Sequence, residues 1–406
     1  MRLPPAIVIG TELNGLGVAR PLARAGIPVW GIAGTAPHPA ERSRAFERVM
    51  RCREWSESGL LETLHLVSRE LDVRAPLLPT KDEPVLWLSR RRDELASRFL
   101  LNLPDDATVR LLMNKRQFLE RALREGWPMP RTILAGSLEE LEQRSPEVPF
   151  PCILKPELKN ERFRRQPIPK TYKLENREQL FAAYRQVAAF EAQVIVSEFI
   201  PGPDTQLLSC RTCWSTRGEP LAHFAVQKLL QWPVEIGIMA MAGPCPPALR
   251  ERVVSLCERI FRAVGFRGLG ALEVKLRPDG SPAITEPCVG RTVYSSEIAA
   301  LNGIDLPAIA YHDMVSGENV ACAGALLGAP LGAPVKLDDG ARSRRSSAAY
   351  LARGLLDAQQ VRALRAGARR DMLWRADDPA PGLVSVGRSV TGFLARPLRH
   401  LRRSGR

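Results

Sequence analysis

The chain has 406 residues, of which 45% are hydrophobic and 25% charged, a balance that builds a core and excludes an intrinsically disordered chain. No run of about 20 apolar residues occurs, which argues against a membrane span, and Met1–Pro5 followed by the short apolar run Ala6–Gly10 does not read as a signal peptide. Of the net charge of +14, most belongs to the end: from Leu327 onward 16 basic residues stand against 6 acidic ones, so the near-neutral body implies no basic groove and no specific nucleic-acid partner.

In chain order, Ala6–Gly10 reads as a buried strand, Asn14–Ala25 as a helix with Leu16, Val18, Ala19, Leu22 and Ala23 at helical spacing, and Ile27–Ile32 as a second strand. A helix at Gly59–Leu71, a strand at Pro76–Pro79 and a helix at Glu83–Ala96 continue the alternation, which predicts a parallel α/β sheet. The glycines of Gly10-Thr-Glu-Leu-Asn-Gly15-Leu-Gly17 lack dinucleotide-binding spacing and predict a tight turn that packs helix on strand.

The pattern changes at Asp106. Lys115–Glu125 reads as a helix, Arg131–Leu134 and Pro151–Lys155 as strands, Asn176–Ala189 as a helix, then Gln193–Phe199, Thr205–Trp214 and Leu221–Leu229 as strands. Pro247–Val264 is amphipathic through Leu249, Val253, Leu256, Ile260 and Val264. Leu269–Leu276 and Pro282–Cys288 form a hairpin turning at Pro278-Asp279-Gly280, and two short helices follow at about Val293–Leu301 and Asp305–Val315. Val320–Val335 reads as a linker. In the tail, Leu355–Ala368 and Pro381–Arg403 read as helices. The second is basic and amphipathic, so it either lies weakly on an anionic membrane surface or packs on the protein.

Lysine is scarce: 9 Lys against 49 Arg. A position that keeps Lys therefore marks a need for a compact point charge. Lys115, Lys155, Lys170, Lys173, Lys228 and Lys275 are six of the nine. Lys115 opens a helix, whose N-terminus favours an anion. Lys155 ends a buried strand, where its head either snorkels to water or meets a phosphate. One of Lys170 and Lys173 is expected to point the same way.

Glu273 and Glu286 lie on the two hairpin strands, and carboxylates facing each other repel unless a cation sits between them. Mg²⁺ shared with nucleotide phosphates meets that need; a solvated polar face is the alternative. The five His are isolated and receive no role. Cys210-Arg-Thr-Cys213 has no second Cys pair, so packing within a strand explains it better than zinc. Eight scattered Cys fit reduced thiols in a cytoplasmic protein.

Five segments in order then resemble the ATP-grasp superfamily of carboxylate–amine ligases: Asn114-Lys115 to Glu120 with Pro128-Met-Pro130, Phe150 to Lys155-Pro156, Val196-Ser-Glu198 to Gly202, Leu272-Glu273-Val-Lys275, and Ile284-Thr-Glu286 to Arg291. The resemblance implies an N-terminal parallel α/β domain over 1–105 and an ATP-grasp domain of α+β character over 106–320 with subdomains 106–195 and 196–320; the linker and basic helical tail read from the residues occupy 321–406. The resemblance also implies ATP and Mg²⁺. Lys115 and Lys155 would contact phosphates, helped by Lys170 or Lys173. Glu198, Phe199 and Ile200 would hold adenine and ribose, and Asp204 the ribose or the substrate. Lys228 would face the γ-phosphate or an acyl phosphate, Glu273 and Glu286 would bridge the metal, and Arg291 would hold the substrate carboxylate.

The activity implied is ATP-dependent activation of a small carboxylic acid as an acyl phosphate for attack by an amine. The alternative is a catalytically impaired, nucleotide-gated interaction module, because Cys288 stands where the family usually has an Asn metal ligand. The resemblance also leaves room for a homodimer. No biotin-carrying Met-Lys-Met sequence is present.

Overall fold

The computed structural model describes residues 3–157, 163, 166–293, 297–317, 335–336, 341–367 and 370–386. Strands β1 (Ala6–Ile9), β2 (Val29–Ala33), β3 (Arg48–Arg51), β4 (Ala75–Pro79) and β5 (Phe99–Leu100) pair in parallel in the order β3-β2-β1-β4-β5. Every side chain of β1 and β4 is buried, as strands covered on both faces require. Helices α1 (Leu13–Arg24), α2 (Glu57–Ser68), α3 (Asp82–Arg90) and α4 (Arg92–Leu95) connect them. The expected tight turn is present: Gly10 has φ of 93°, and a Cβ on Gly15 would lie 2.0 Å from the Gly10 carbonyl oxygen, so only glycine lets the two segments meet.

Side-chain caps fix where the next helices begin. Asp105 accepts from the Thr108 N–H to start α5 (Asp106–Met113), Asn114 from Gln117 to start α6 (Lys115–Arg124), and Ser137 from Glu140 to start α7 (Leu138–Arg144). β6 (Thr132–Ala135), β7 (Cys152–Pro156), β8 (Tyr172–Leu174) and β9 (Val194–Glu198) form a four-stranded antiparallel sheet in the order β6-β9-β7-β8. The helices α7 and α8 (Arg177–Ala188) bury its apolar face through Leu141, Leu180, Ala183 and Val187.

A third sheet joins β10 (Leu207–Trp214), β11 (Pro220–Trp232), β12 (Ile238–Pro244), β13 (Gly268–Leu276) and β14 (Pro282–Val289) in the order β14-β13-β10-β11-β12. The helix α9 (Pro247–Ala263) covers one face with Val253, Leu256 and Ile260 against Leu208, Cys210, Leu272 and Val274, as its amphipathic pattern predicts. Phe261 stacks on Phe266 at 4.0 Å beside Trp214. Strand alternation sends Cys210 into this core and Cys213 into the opposite one, so the pair does not share a ligand. His223 is not isolated as expected: its Nε2 lies 2.9 Å from Glu258 Oε1 and its Nδ1 3.9 Å from Cys210 Sγ. Hydrogen bonds from Cys257 and His223 pull the buried Cys210 thiol below its usual pKa.

After α10 (Glu297–Leu301) and α11 (Leu306–Ser316), the late segments pack back on the body. β15 (Val335–Lys336) pairs with β12, and β16 (Arg370–Asp371) with β15. Of the helices α12 (Ala341–Ala352) and α13 (Ala358–Gly367), α12 buries Tyr350 against Leu230 and Met241. The expected linker over Val320–Val335 lies outside the described residues up to 334, as does the basic helix beyond 386; residues 380–386 are helical, with Pro381, Gly382 and Ser385 buried. No helix among the described residues is long and apolar enough to cross a membrane.

A buried ion cluster fastens this return. The Arg20 Nε lies 2.9 Å from Asp378 Oδ2, the two side chains 4% and 7% exposed, and Glu297 stands 3.6 Å from Arg20 and 2.7 Å from Arg375. Asp378→Ala leaves Arg20 buried with Glu297 as its remaining carboxylate among the described residues and is expected to cost about 3 kcal/mol of stability, read as a lower urea midpoint; a change under about 0.5 kcal/mol contradicts the assignment.

Candidate active site

The four-stranded and seven-stranded sheets face each other across two adjoining cavities of about 190 and 550 Å³ that share Lys155, Lys228 and Glu273 in their walls. Ten of the twelve residues given a site role in the sequence meet here: Glu198, Phe199, Ile200 and Asp204 line the smaller cavity, Lys115, Glu286 and Arg291 the larger, and Lys155, Lys228 and Glu273 both. Lys170 and Lys173 do not line either. Lys170 is exposed, and Lys173 is engaged by Glu235 at 2.8 Å with its ammonium 4.3 Å from the Phe199 ring centre.

Strand register explains the acidic pair. Glu273 of β13 stands directly opposite Glu286 of β14, and a bulge between Glu273 and Val274 leaves Thr285 as the extra residue. Such a bulge re-aims its neighbours; here the Thr285 hydroxyl donates to Glu273 Oε1 at 3.0 Å. Two carboxylates held in register offer hard oxygen donors, which fit a Mg²⁺ ion completed by phosphate oxygens and water. Cys288 adds nothing to that set. Burial pushes its pKa up to about 12, and the thiol donates to the Arg291 carbonyl at 3.6 Å. Among the described residues no group of three or more His, Cys, Asp or Glu is placed to hold a metal.

Behind the smaller cavity lies a buried polar chain. Lys228, 5% exposed, donates to Gln231 Oε1 at 3.2 Å, and Gln231 donates to Asp204. Burial raises the Asp204 pKa while Lys228 and Lys275 hold it down. Lys275 donates to the carbonyls of Gly202 and Pro203 at 3.0 and 2.7 Å, pinning the turn that presents Asp204. Burial lowers the Lys275 pKa to about 8 despite the attraction of Asp204.

The arginines were the part sequence reasoning missed. Arg211, 2% exposed, lines the larger cavity from β10; burial lowers its pKa and Glu273 opposes the fall, so the guanidinium keeps its charge at neutral pH. Arg277 pairs with Glu198, so that carboxylate is already occupied. Arg291, which lines the larger cavity, pairs with Asp82 of α3 and donates to the Thr292 carbonyl at 3.0 Å. Burial opposes the Arg291 charge, but the neighbouring carboxylates Asp82 and Glu286 support it, and the pKa is raised. Alternation along β10 was the one available signal for Arg211; Asp82, 209 positions from Arg291, carried none.

No protein-family model matches the chain, and no curated protein sequence does. Solved structures do resemble it. The ADP complex of an N5-carboxyaminoimidazole ribonucleotide synthetase aligns over 83% of this chain and 80% of its own, at 15% identity and a TM-score of 0.60. Biotin carboxylase from Campylobacter jejuni, in a β-γ-ATP complex, aligns over 81% and 74% at 14% identity and a TM-score of 0.63. L-amino acid ligase from Bacillus licheniformis aligns over 77% and 74% at 16% identity and a TM-score of 0.59. At such identities the likeness is one of fold.

Proposed function

We propose that this chain, which has the ATP-grasp fold, is an ATP- and Mg²⁺-dependent ligase that joins a small carboxylic acid to an amine. The observation that carries the reading is the convergence of Lys115, Lys155 and Lys228 with the opposed carboxylates Glu273 and Glu286 around one pair of cavities. A site made of cations and one acidic pair suits phosphoryl transfer, where neutralising and aligning charge does most of the catalysis.

In this proposal residues 1–105 form the domain that carries Asp82, and 106–320 the nucleotide-binding unit. Lys115 and Lys155 hold phosphates, the Glu198–Ile200 segment and Asp204 border the adenosine, and Arg291 orients the carboxylate. Glu273 and Glu286 would hold a Mg²⁺ ion, which would supply positive charge to offset that of the phosphates. A carboxylate oxygen attacks the γ-phosphorus, ADP leaves, and the acyl phosphate is formed; an amine then attacks its carbonyl carbon, giving an amide and releasing phosphate and a proton. Lys228 stabilises the charge on the transferred group. Arg211 shares the wall with Glu273 and balances the acidic pair.

Calorimetric titration with ATP and Mg²⁺, followed by ADP release on adding acids with amines, tests the reading. The second reading, a nucleotide-gated binding module, rests on the neutral Cys288 thiol beside the acidic pair; nucleotide binding with no ADP release from any acid would favour it.

Lys275 gives the proposal a pH signature. Its charge is lost as pH rises through about 8, so nucleotide affinity is expected to fall several-fold between about pH 7 and 9.5, and Lys275→Met to flatten that fall. Unfolding free energy responds oppositely. The folded pKa lies below the unfolded value, so the unfolded chain holds more protons over this interval and the group's contribution to stability rises with pH. An affinity profile identical in the variant contradicts the role.

A further inference from the structure

The rim of the larger cavity holds a charge pair drawn from opposite ends of the sequence. Arg291, its side chain 21% exposed, follows β14; Asp82, 59% exposed, opens α3 just past the end of β4 in the parallel sheet, and the two are hydrogen-bonded. Two neighbouring charges have partners elsewhere. Lys81, beside Asp82 in the chain, pairs with Glu12 and lies 4.6 Å from the Trp55 ring centre, and Glu286 belongs to the acidic pair. Arg291 is the cation bonded to Asp82 in a cavity wall that Lys115 and Arg211 also line.

This arrangement constrains the acid that Arg291 can receive. A simple carboxylate drawing Arg291 away would leave Asp82 facing a second anion, so part of the gain would be lost to repulsion. An α-amino acid carries its carboxylate and ammonium on one carbon, and it answers both members of the pair at once. Building on the ligase reading above, we infer that Asp82 is the specificity-determining residue that restricts the activated acid to α-amino acids, holding the substrate ammonium while Arg291 holds its carboxylate. A neighbouring carboxylate also favours the charged form of an amine, which keeps the amino group of the activated acid protonated and unable to act as the nucleophile.

The test uses the full chain with ATP and Mg²⁺, hydroxylamine as acceptor, and matched pairs consisting of an α-amino acid and the acid lacking its amino group. The expected result is kcat/KM at least about tenfold higher for the amino acid in one or more pairs. Asp82→Asn is expected to raise the amino-acid KM about tenfold with kcat within threefold, and to leave the deaminated acid unchanged or improved, so that the preference collapses. Because Asp82 is exposed, nucleotide-dependent thermal stabilisation should match the wild-type chain and show an intact fold. Equal turnover of amino and deaminated acids, or an unchanged preference in Asp82→Asn, overturns this inference alone. ADP release with no acid of either kind overturns it together with the ligase reading.

Discussion

Glu286→Gln is expected to lower acid-dependent ADP release about 10²-fold or more, while the metal-free protein becomes no less stable. The two effects have one cause. Glu286 and Glu273 stand in register across the hairpin, so without a metal ion they repel, and the substitution removes a repulsion that Arg211 and Arg291 only partly offset. With nucleotide present, the same substitution would replace one of the two carboxylate ligands proposed for Mg²⁺ by a weaker neutral amide, and the thiol of Cys288 cannot make up the loss. Thermal unfolding without metal should show a midpoint unchanged or raised by about 1–3 °C, and titration with Mn²⁺ in the presence of ATP should show weakened metal affinity. Full turnover in Glu286→Gln, or a marked loss of metal-free stability, would mean that the pair is a structural feature of the hairpin.

Lys228→Met should reduce kcat by about 10²–10³ with a smaller change in nucleotide affinity. Lys228 is buried in the wall of both cavities and is tied through Gln231 to Asp204, so its charge sits where little water screens it. Met fills a similar volume, and Lys275 remains as a counter-charge to Asp204, so the fold is retained. Lys228→Arg should not restore the rate, because a planar fork replaces a point charge in a closed space. Single-turnover measurement of ADP formation separates this from slowed product release; a rate within threefold of the unaltered chain contradicts the role.

Much of this site was legible in the sequence because lysine is rare in it. The scarcity made Lys115, Lys155 and Lys228 informative, and the alternation around Glu273 fixed its facing across the hairpin. The same bias hid Arg211 and Arg277, two among 49 arginines. Lys170 and Lys173 mark the other limit: residue type alone suggested phosphate contact, whereas Lys173 is held by Glu235 and the face of Phe199.

The parallel sheet was readable from its buried strands, yet β3 was not. Arg48-Val-Met-Arg51 has charged ends and half-exposed centres because it is an edge strand, and edges need no apolar alternation. β8 is three residues long, too short for a period to emerge. The return of the chain through Asp378 to Arg20 depends on partners 358 positions apart, which local patterns do not encode.

The central claim is that a carboxylate is phosphorylated in this site, and the oxygen atoms record it. If an acyl phosphate forms and an amine displaces phosphate, one carboxylate oxygen must leave in the phosphate. Incubating the chain with ATP, Mg²⁺, hydroxylamine and α-amino acids labelled with ¹⁸O in the carboxylate, then reading the released phosphate by ³¹P NMR, tests this directly. The account predicts one ¹⁸O in each phosphate released; phosphate free of label, or no phosphate from any acid, would contradict it.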